Sequence, residues 1–258
     1  MQFRLPFYLL LPALLFFVAC EEEPDNFSTE LGYEYYPLEV GQTRVYQVDS
    51  IVYDLATGGI SADSSSSFIR EIVTEVRENE QGDSVYTVER TYRDSVGNPW
   101  QPLKVFTETV ERRQNRIVRT EDNLQFIQMV FPVRENRDWD GNVFFDEFLT
   151  VEVGGESVEM FKGWEYEYER TDLDTSFAGT NYAEVVHLIK ADTDPFNLIE
   201  TRQADDYYAP GIGLIARDLE ILDTQCEACC NFDNVLCLEL PWSQKAERGF
   251  VLRQRLVE

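Results

Sequence analysis

Four cysteines fall within twelve residues near the end of the chain: Cys226, Cys229, Cys230 and Cys237. A Cys-x-x-Cys-Cys run with a fourth cysteine seven residues on could hold zinc as a tetrathiolate site. It could equally close as two disulfides. The compartment decides between them: outside the cytoplasm thiols oxidise, and two local disulfides are then the simpler state. Adjacent Cys229 and Cys230 are poorly placed to bridge each other, so Cys226 and Cys237 are expected to take one each. Spacing alone does not say which goes to which, since four cysteines allow about three pairings. The four are therefore disulfide candidates, and no metal and no cofactor is assigned to the chain.

The other chemistry-bearing residues are sparse. His187 is the single histidine, and it sits in the strand-like run Tyr182-Ala183-Glu184-Val185-Val186-His187-Leu188-Ile189. Any Ser-His-Asp or Cys-His mechanism would have to use that imidazole; a core or face histidine is the simpler reading. Carboxylates are so numerous, at 48, that an acid and base pair at any chosen distance will arise by chance. Asp138, Asp140 and Asn142 resemble the opening of a calcium loop. The glycine of that pattern, Gly141, comes one place early, and Leu149 stands where the bidentate acid belongs. A turn with Trp139 packing back is expected there instead. No catalytic residue is assigned, and the chain is not expected to be an enzyme.

The start of the chain reads as an address. Arg4 precedes an apolar run from Leu5 that ends in Val18-Ala19-Cys20. A basic start, an apolar stretch and a small residue before a cut form a secretory signal. The run contains two prolines and is shorter than the roughly 18 residues that span a bilayer. Ala19-Cys20 resembles the lipobox of bacterial lipoproteins, although Phe17 stands where leucine is usual. The resemblance implies removal of residues 1–19 and lipidation, including palmitate, on Cys20, with the outer membrane as partner through that lipid. Glu21, Glu22 and Glu23 follow directly, and resemble the export signal of surface lipoproteins in Bacteroidetes. That implies display on the cell surface, with a periplasm-facing anchor as the alternative. Residues 20–32 otherwise read as an acidic tether too polar to fold. The Asn26 sequon carries little weight in such a setting.

The chain holds 22 Lys+Arg against 48 Asp+Glu, a formal charge of −26. Such a balance repels nucleic acid, which is not expected as a partner. Aromatic residues make up 13%, too many for a disordered chain.

Positioning these residues falls to strands. Runs of period-2 alternation, rich in β-branched and aromatic residues, cover Thr43–Asp54, 67–77, 84–92, 105–112, 116–120, 124–133, 158–161, 164–170, 182–191, 198–208, 214–222 and 250–257. Turn chemistry separates them, as at Thr57-Gly58-Gly59, Gly97-Asn98-Pro99 and Gly154-Gly155. Ser61 to Ser67 reads as a serine-rich loop. No stretch carries a long apolar stripe of helical period. The expectation is an all-β fold with minor helix at most. Short links favour antiparallel hairpins, and a dozen strands must curl or split. A strongly curved antiparallel sheet, half-barrel or two-layer packing is therefore expected, as a single domain over 33–258 with a cysteine-rich loop at 224–238.

Two motifs carry a further resemblance. Tyr35-Tyr36-Pro37-Leu38 with Gly41 and Tyr46 resembles the opening of uncharacterised Bacteroidetes lipoproteins. Tyr208-Ala209-Pro210-Gly211-Ile212-Gly213-Leu214-Ile215 is similar to an Ala-Pro-Gly-Val-Gly-Leu-Val stretch late in the same proteins. It reads as a sharp strand–turn–strand corner. The triplets at Asp49-Ser50-Ile51, Asp83-Ser84-Val85 and Asp94-Ser95-Val96 resemble the O-glycosylation acceptor of that phylum. These resemblances imply fold and address, with no activity. Three functions stay open: a surface binding or scaffold subunit on the outer membrane, which is the expectation; an envelope carrier holding a lipid or apolar ligand in the curved sheet; and a carboxylate hydrolase. The concave face discriminates among them, since a protein or an apolar ligand on that face is the expected partner.

Overall fold

The computed structural model describes residues 31–54, 61–225 and 228–258. The signal segment, Cys20, Glu21, Glu22, Glu23 and Cys226 lie outside them. Fourteen strands form: β1 Thr43–Asp54, β2 Ser61–Glu78, β3 Ser84–Arg93, β4 Gln101–Glu111, β5 Arg116–Glu121, β6 Leu124–Val130, β7 Asp138–Trp139, β8 Thr150–Val153, β9 Glu156–Glu159, β10 Tyr166–Phe177, β11 Thr180–Asp192, β12 Glu200–Ala209, β13 Gly213–Asp223 and β14 Arg248–Leu256. The fold is all-β. Two short helices, α1 Asn234–Glu239 and α2 Trp242–Lys245, lie in the cysteine-rich connection between β13 and β14.

Twelve strands make one antiparallel sheet in the order β6-β5-β4-β3-β2-β1-β14-β13-β12-β11-β10-β7. The sheet curls until its two edges nearly meet. Ile127 N–H of β6 donates to Gly141 O at 2.8 Å, just past β7. Trp139 Nε1 of β7 donates to Ile127 O at 2.9 Å. Tyr168 OH of β10 donates to Val130 O at 2.8 Å and accepts from Val130 N–H at 3.2 Å. These bonds satisfy edge groups that would otherwise template aggregation. Register shifts in the β10–β11, β11–β12 and β12–β13 pairs supply local bends.

The serine-rich segment differs from its sequence reading. Ser61 to Ser67 is strand, the first part of β2, in register with β1 from Asp54↔Ser61 to Val48↔Ser67. The backbone ladder there needs no apolar side chains, and Ser50 Oγ meets Ser65 Oγ at 2.9 Å across it. A segment with no buried face has no alternation to read. The hairpin β8–β9 was legible only in its second half; its tip rests on β1, where a Cβ at Gly154 would sit 3.0 Å from Val52 Cγ1.

One end of the curled sheet is closed by the chain's own entry. Val133 N–H donates to Leu31 O, and Gly211 N–H to Glu34 O. Tyr33 packs on Phe131, and Tyr36 runs inward to Glu108. The Pro210–Gly213 corner belongs to this end. Gly211 and Gly213 both have positive φ, 72° and 94°, which glycine adopts without steric cost. Arg44 bonds both the corner, at Ile212 O, and Pro37 O. The two motifs of the sequence reading thus meet.

Candidate functional site

Strand alternation places charges among the apolar residues of the inner face. On β4, Phe106, Glu108 and Val110 are buried in turn; on β12, Ala204, Asp206 and Tyr208; on β11, Leu188 and Lys190. Two linked ionic groups result. In the first, Glu108 Oε1 accepts from Tyr36 OH at 2.9 Å and Arg119 Nε at 2.8 Å. Arg90 forks onto Glu71 Oε1 and reaches Glu121 Oε1 at 2.9 Å. Lys104 joins Glu121 to Asp122. The guanidinium groups of Arg90 and Arg119 both lie over the Phe106 ring, at 4.7 and 4.5 Å. In the second, Arg217 forks onto Asp206 at 2.6 and 2.7 Å. Lys190 and Tyr208 OH complete the shell of that carboxylate.

The electrostatics follow from burial set against partners. Burial pushes the Glu108 carboxyl up, with Arg119 and Tyr36 opposing; its Oε2 has no partner among the described residues. Burial would also raise Glu121, but Arg119 and Arg90 outweigh it and hold the carboxyl down at about 2. Asp206 is buried too, yet Arg217 and Lys190 keep it well below the usual carboxylate range. Burial lowers Lys190 to about 8 against the pull of Asp206.

Above these groups the curled sheet holds a cavity of about 410 Å³. Phe126, Met160, Phe161, Trp164 and Leu219 give it an apolar wall. Arg90, Lys104, Arg119, Lys190 and Arg217 line it as well, with Glu121 and Asp122 as the only acids among the described residues. Glu71, Glu108 and Asp206, the remaining partners of those cations, do not line it.

The residues singled out from sequence lie elsewhere. His187 is in β11 on the face opposite Leu188; its Nε2 is 2.7 Å from Asp205 Oδ1 and its ring stacks on Tyr207 at 4.5 Å. Of the core and the face readings, the face is the one it occupies. Trp139 packs back on Tyr166 and Tyr168 as expected. Asp140 Oδ1 accepts from Asn142 N–H and Asn142 Oδ1 from Tyr166 OH, so the calcium-like run is spent on a turn. Among the described residues no cluster could hold a metal ion. Cys230 and Cys237 form a disulfide, and Cys229 is disulfide-bonded as well. Ser95 is exposed in the turn after β3, whereas Ser50 lies within β1. Sequence reading missed Arg119, Lys190, Asp206 and Arg217. Their signal was present only as a charge at every second place between apolar neighbours, which is also how a solvated face reads.

No family model matches the chain, and no curated protein matches it. Among solved structures it is similar to a protein provisionally named a lipoprotein, from Parabacteroides distasonis ATCC 8503. The identity is 10%, the overlap 86% of this chain and 96% of that one, and the TM-score 0.31. It is also similar to a protein provisionally named an exported protein with a YmcC-like fold, from Bacteroides fragilis NCTC 9343. There the identity is 12%, the overlap 86% and 98%, and the TM-score 0.29. Neither overlap is close enough to assign a role.

Proposed function

We propose that this protein is a lipid-anchored binding protein of the bacterial cell envelope that carries a small apolar or amphipathic ligand inside its curled sheet. The address rests on the sequence: a secretory signal, Cys20 in a lipobox-like setting, and Glu21 to Glu23 directly after it. The outer membrane, facing the cell surface, is the location this implies. The observation that carries the ligand reading is the cavity of about 410 Å³ with its wall of Phe126, Met160, Phe161, Trp164 and Leu219. That volume lies in the range of small-molecule sites. A hydrolase is disfavoured, because a catalytic acid pair must face its substrate. Glu108 and Glu121 are driven in opposite directions, but of these two only Glu121 lines the cavity and Arg119 holds both; the other lining acid, Asp122, is exposed and paired with Lys104.

The test is photolabelling of the full-length protein in its own membranes with a diazirine derivative of dodecanol. Adducts should map to Phe126, Met160 or Trp164, and Val151→Trp, which fills the cavity, should abolish them. Labelling scattered over the outer surface would sink the reading. A second reading, a binding or scaffold subunit that docks a protein, is favoured by exposed Phe144, Phe148, Phe196 and Phe232. Such exposed apolar side chains suit a partner surface. Labelling confined to those four residues would select it.

A further inference from the structure

We infer that the ligand of this cavity is an anionic amphiphile, with a carboxylate or phosphate headgroup seated on Lys190, Arg217 and Arg119 and a chain lying along the apolar wall. The inference rests on the binding reading above and names its ligand class. The whole chain carries −26, yet five cations and two acids line the cavity. This inversion is built by the sheet. Asp206 and Glu108 are buried and pair with Arg217, Lys190 and Arg119, which fixes those cations, yet only the cations are among the residues that line the space. Lysine and arginine carry three and five N–H donors, more than the partners seen here use.

Lys190 has a side chain only 5% exposed, so it serves the interior and not the solvent. One further donor of a lining residue is buried without a partner among the described residues, Trp164 Nε1; the unpartnered Gln128 Oε1 is an acceptor and calls for a donor such as water. An orphaned indole N–H costs free energy unless a guest accepts from it, and an anionic oxygen is the stronger acceptor.

The size of the guest follows from volume. At about 30 Å³ per water-sized group, a cavity of about 410 Å³ has room for about fourteen non-hydrogen atoms. That is the scale of one twelve-carbon chain, with its polar head reaching the cations of the lining, and well short of the two chains of a phospholipid.

Competition against the dodecanol photolabel tests the headgroup in the full-length protein, in membranes. Unlabelled dodecanoate and dodecyl phosphate should protect at concentrations ten- to a hundredfold below unlabelled dodecanol, the range expected of charge-assisted hydrogen bonds. Dodecanoate protecting best would name a carboxylate as the head; dodecyl phosphate protecting best, a phosphate. Lys190→Met should bring the anion-to-alcohol ratio toward one. Should that variant fail to fold, Lys104→Met, at the mouth of the cavity with a side chain 29% exposed, should lower the ratio severalfold. Equal protection by dodecanol and both anions would overturn the anionic head while leaving the binding reading intact. No labelling of the cavity by the dodecanol probe would instead overturn the binding reading itself.

Discussion

At the scale of single residues, the inner charges set how the protein responds to acid. Glu121 sits 16% exposed between Arg90, Lys104 and Arg119, and its carboxyl is held at about 2 instead of the ordinary 4.5. A carboxyl held down in the folded state contributes stability that is complete above the ordinary value and disappears as pH falls through the folded one. The window is therefore pH 4.5 down to about 2. The contribution is at most about 3 kcal/mol, less some solvent screening. The wild type should lose thermal stability more steeply across that window than Glu121→Gln, which has nothing to titrate there. Parallel curves of Tm against pH for the two proteins would show that the network does not depend on this charge. Lys190 works the other way. Its ammonium is disfavoured by burial, so the folded state gains relative stability as pH rises from about 8 toward 10.5, where the unfolded chain still binds the proton.

At the scale of elements, the seam between β6 and the β7–β10 edge is what turns a sheet into a vessel. Tyr168 is wholly buried, and its hydroxyl bonds both N–H and C=O of Val130. Tyr168→Phe strands both backbone groups, at a cost on the order of 1–3 kcal/mol. Thermal unfolding should record the loss, and hydrogen exchange should quicken at Ile127 and Val130 before it does in β1 or β14. Exchange that rose evenly over all strands would argue that the seam is no separate unit. Much of this architecture was legible. The alternation in Thr43–Asp54 gave β1 to the residue, and the breaks at Gly97 and Gly154 fell in turns. Two kinds of element were not legible. β7 is two residues long, below any periodic signal, yet it closes the sheet. The serine part of β2 has a ladder but no buried face. The cavity was invisible for a third reason: a charge inside a barrel and a charge outside it both occupy every second position. Only the curl, which depends on which edges meet, tells Lys190 from His187.

At the scale of the whole molecule, parts hold together with different strength. The main core runs through β1, β4–β6 and β10–β13. The Cys230–Cys237 bridge lies outside it, in a connection whose other foothold is Ala246 and Trp242 packed on Tyr53 and Leu222. The loop closed by that bridge spans a sequence separation of 7, so its reduction removes on the order of 2–3 kcal/mol of local stability. Reduction should free α1 to exchange while α2 and the curled sheet stay protected. Collapse of the whole sheet on reduction would instead make the bridge a clamp on the core. The proposed anchor belongs to this scale as well, because it would decide which solvent the body meets. A thioether-linked lipid needs the sulfur of Cys20. The apolar run before it is shorter than the roughly 18 residues that hold a helix in a bilayer, and two prolines interrupt it. The full-length Cys20→Ala protein should therefore leave the membrane fraction for the soluble one, whereas Glu21, Glu22 and Glu23 replaced together by alanine should stay anchored and lose labelling by antibody on intact cells. Full retention of Cys20→Ala in membranes would assign the anchor to the leading segment itself and remove the lipid from the account.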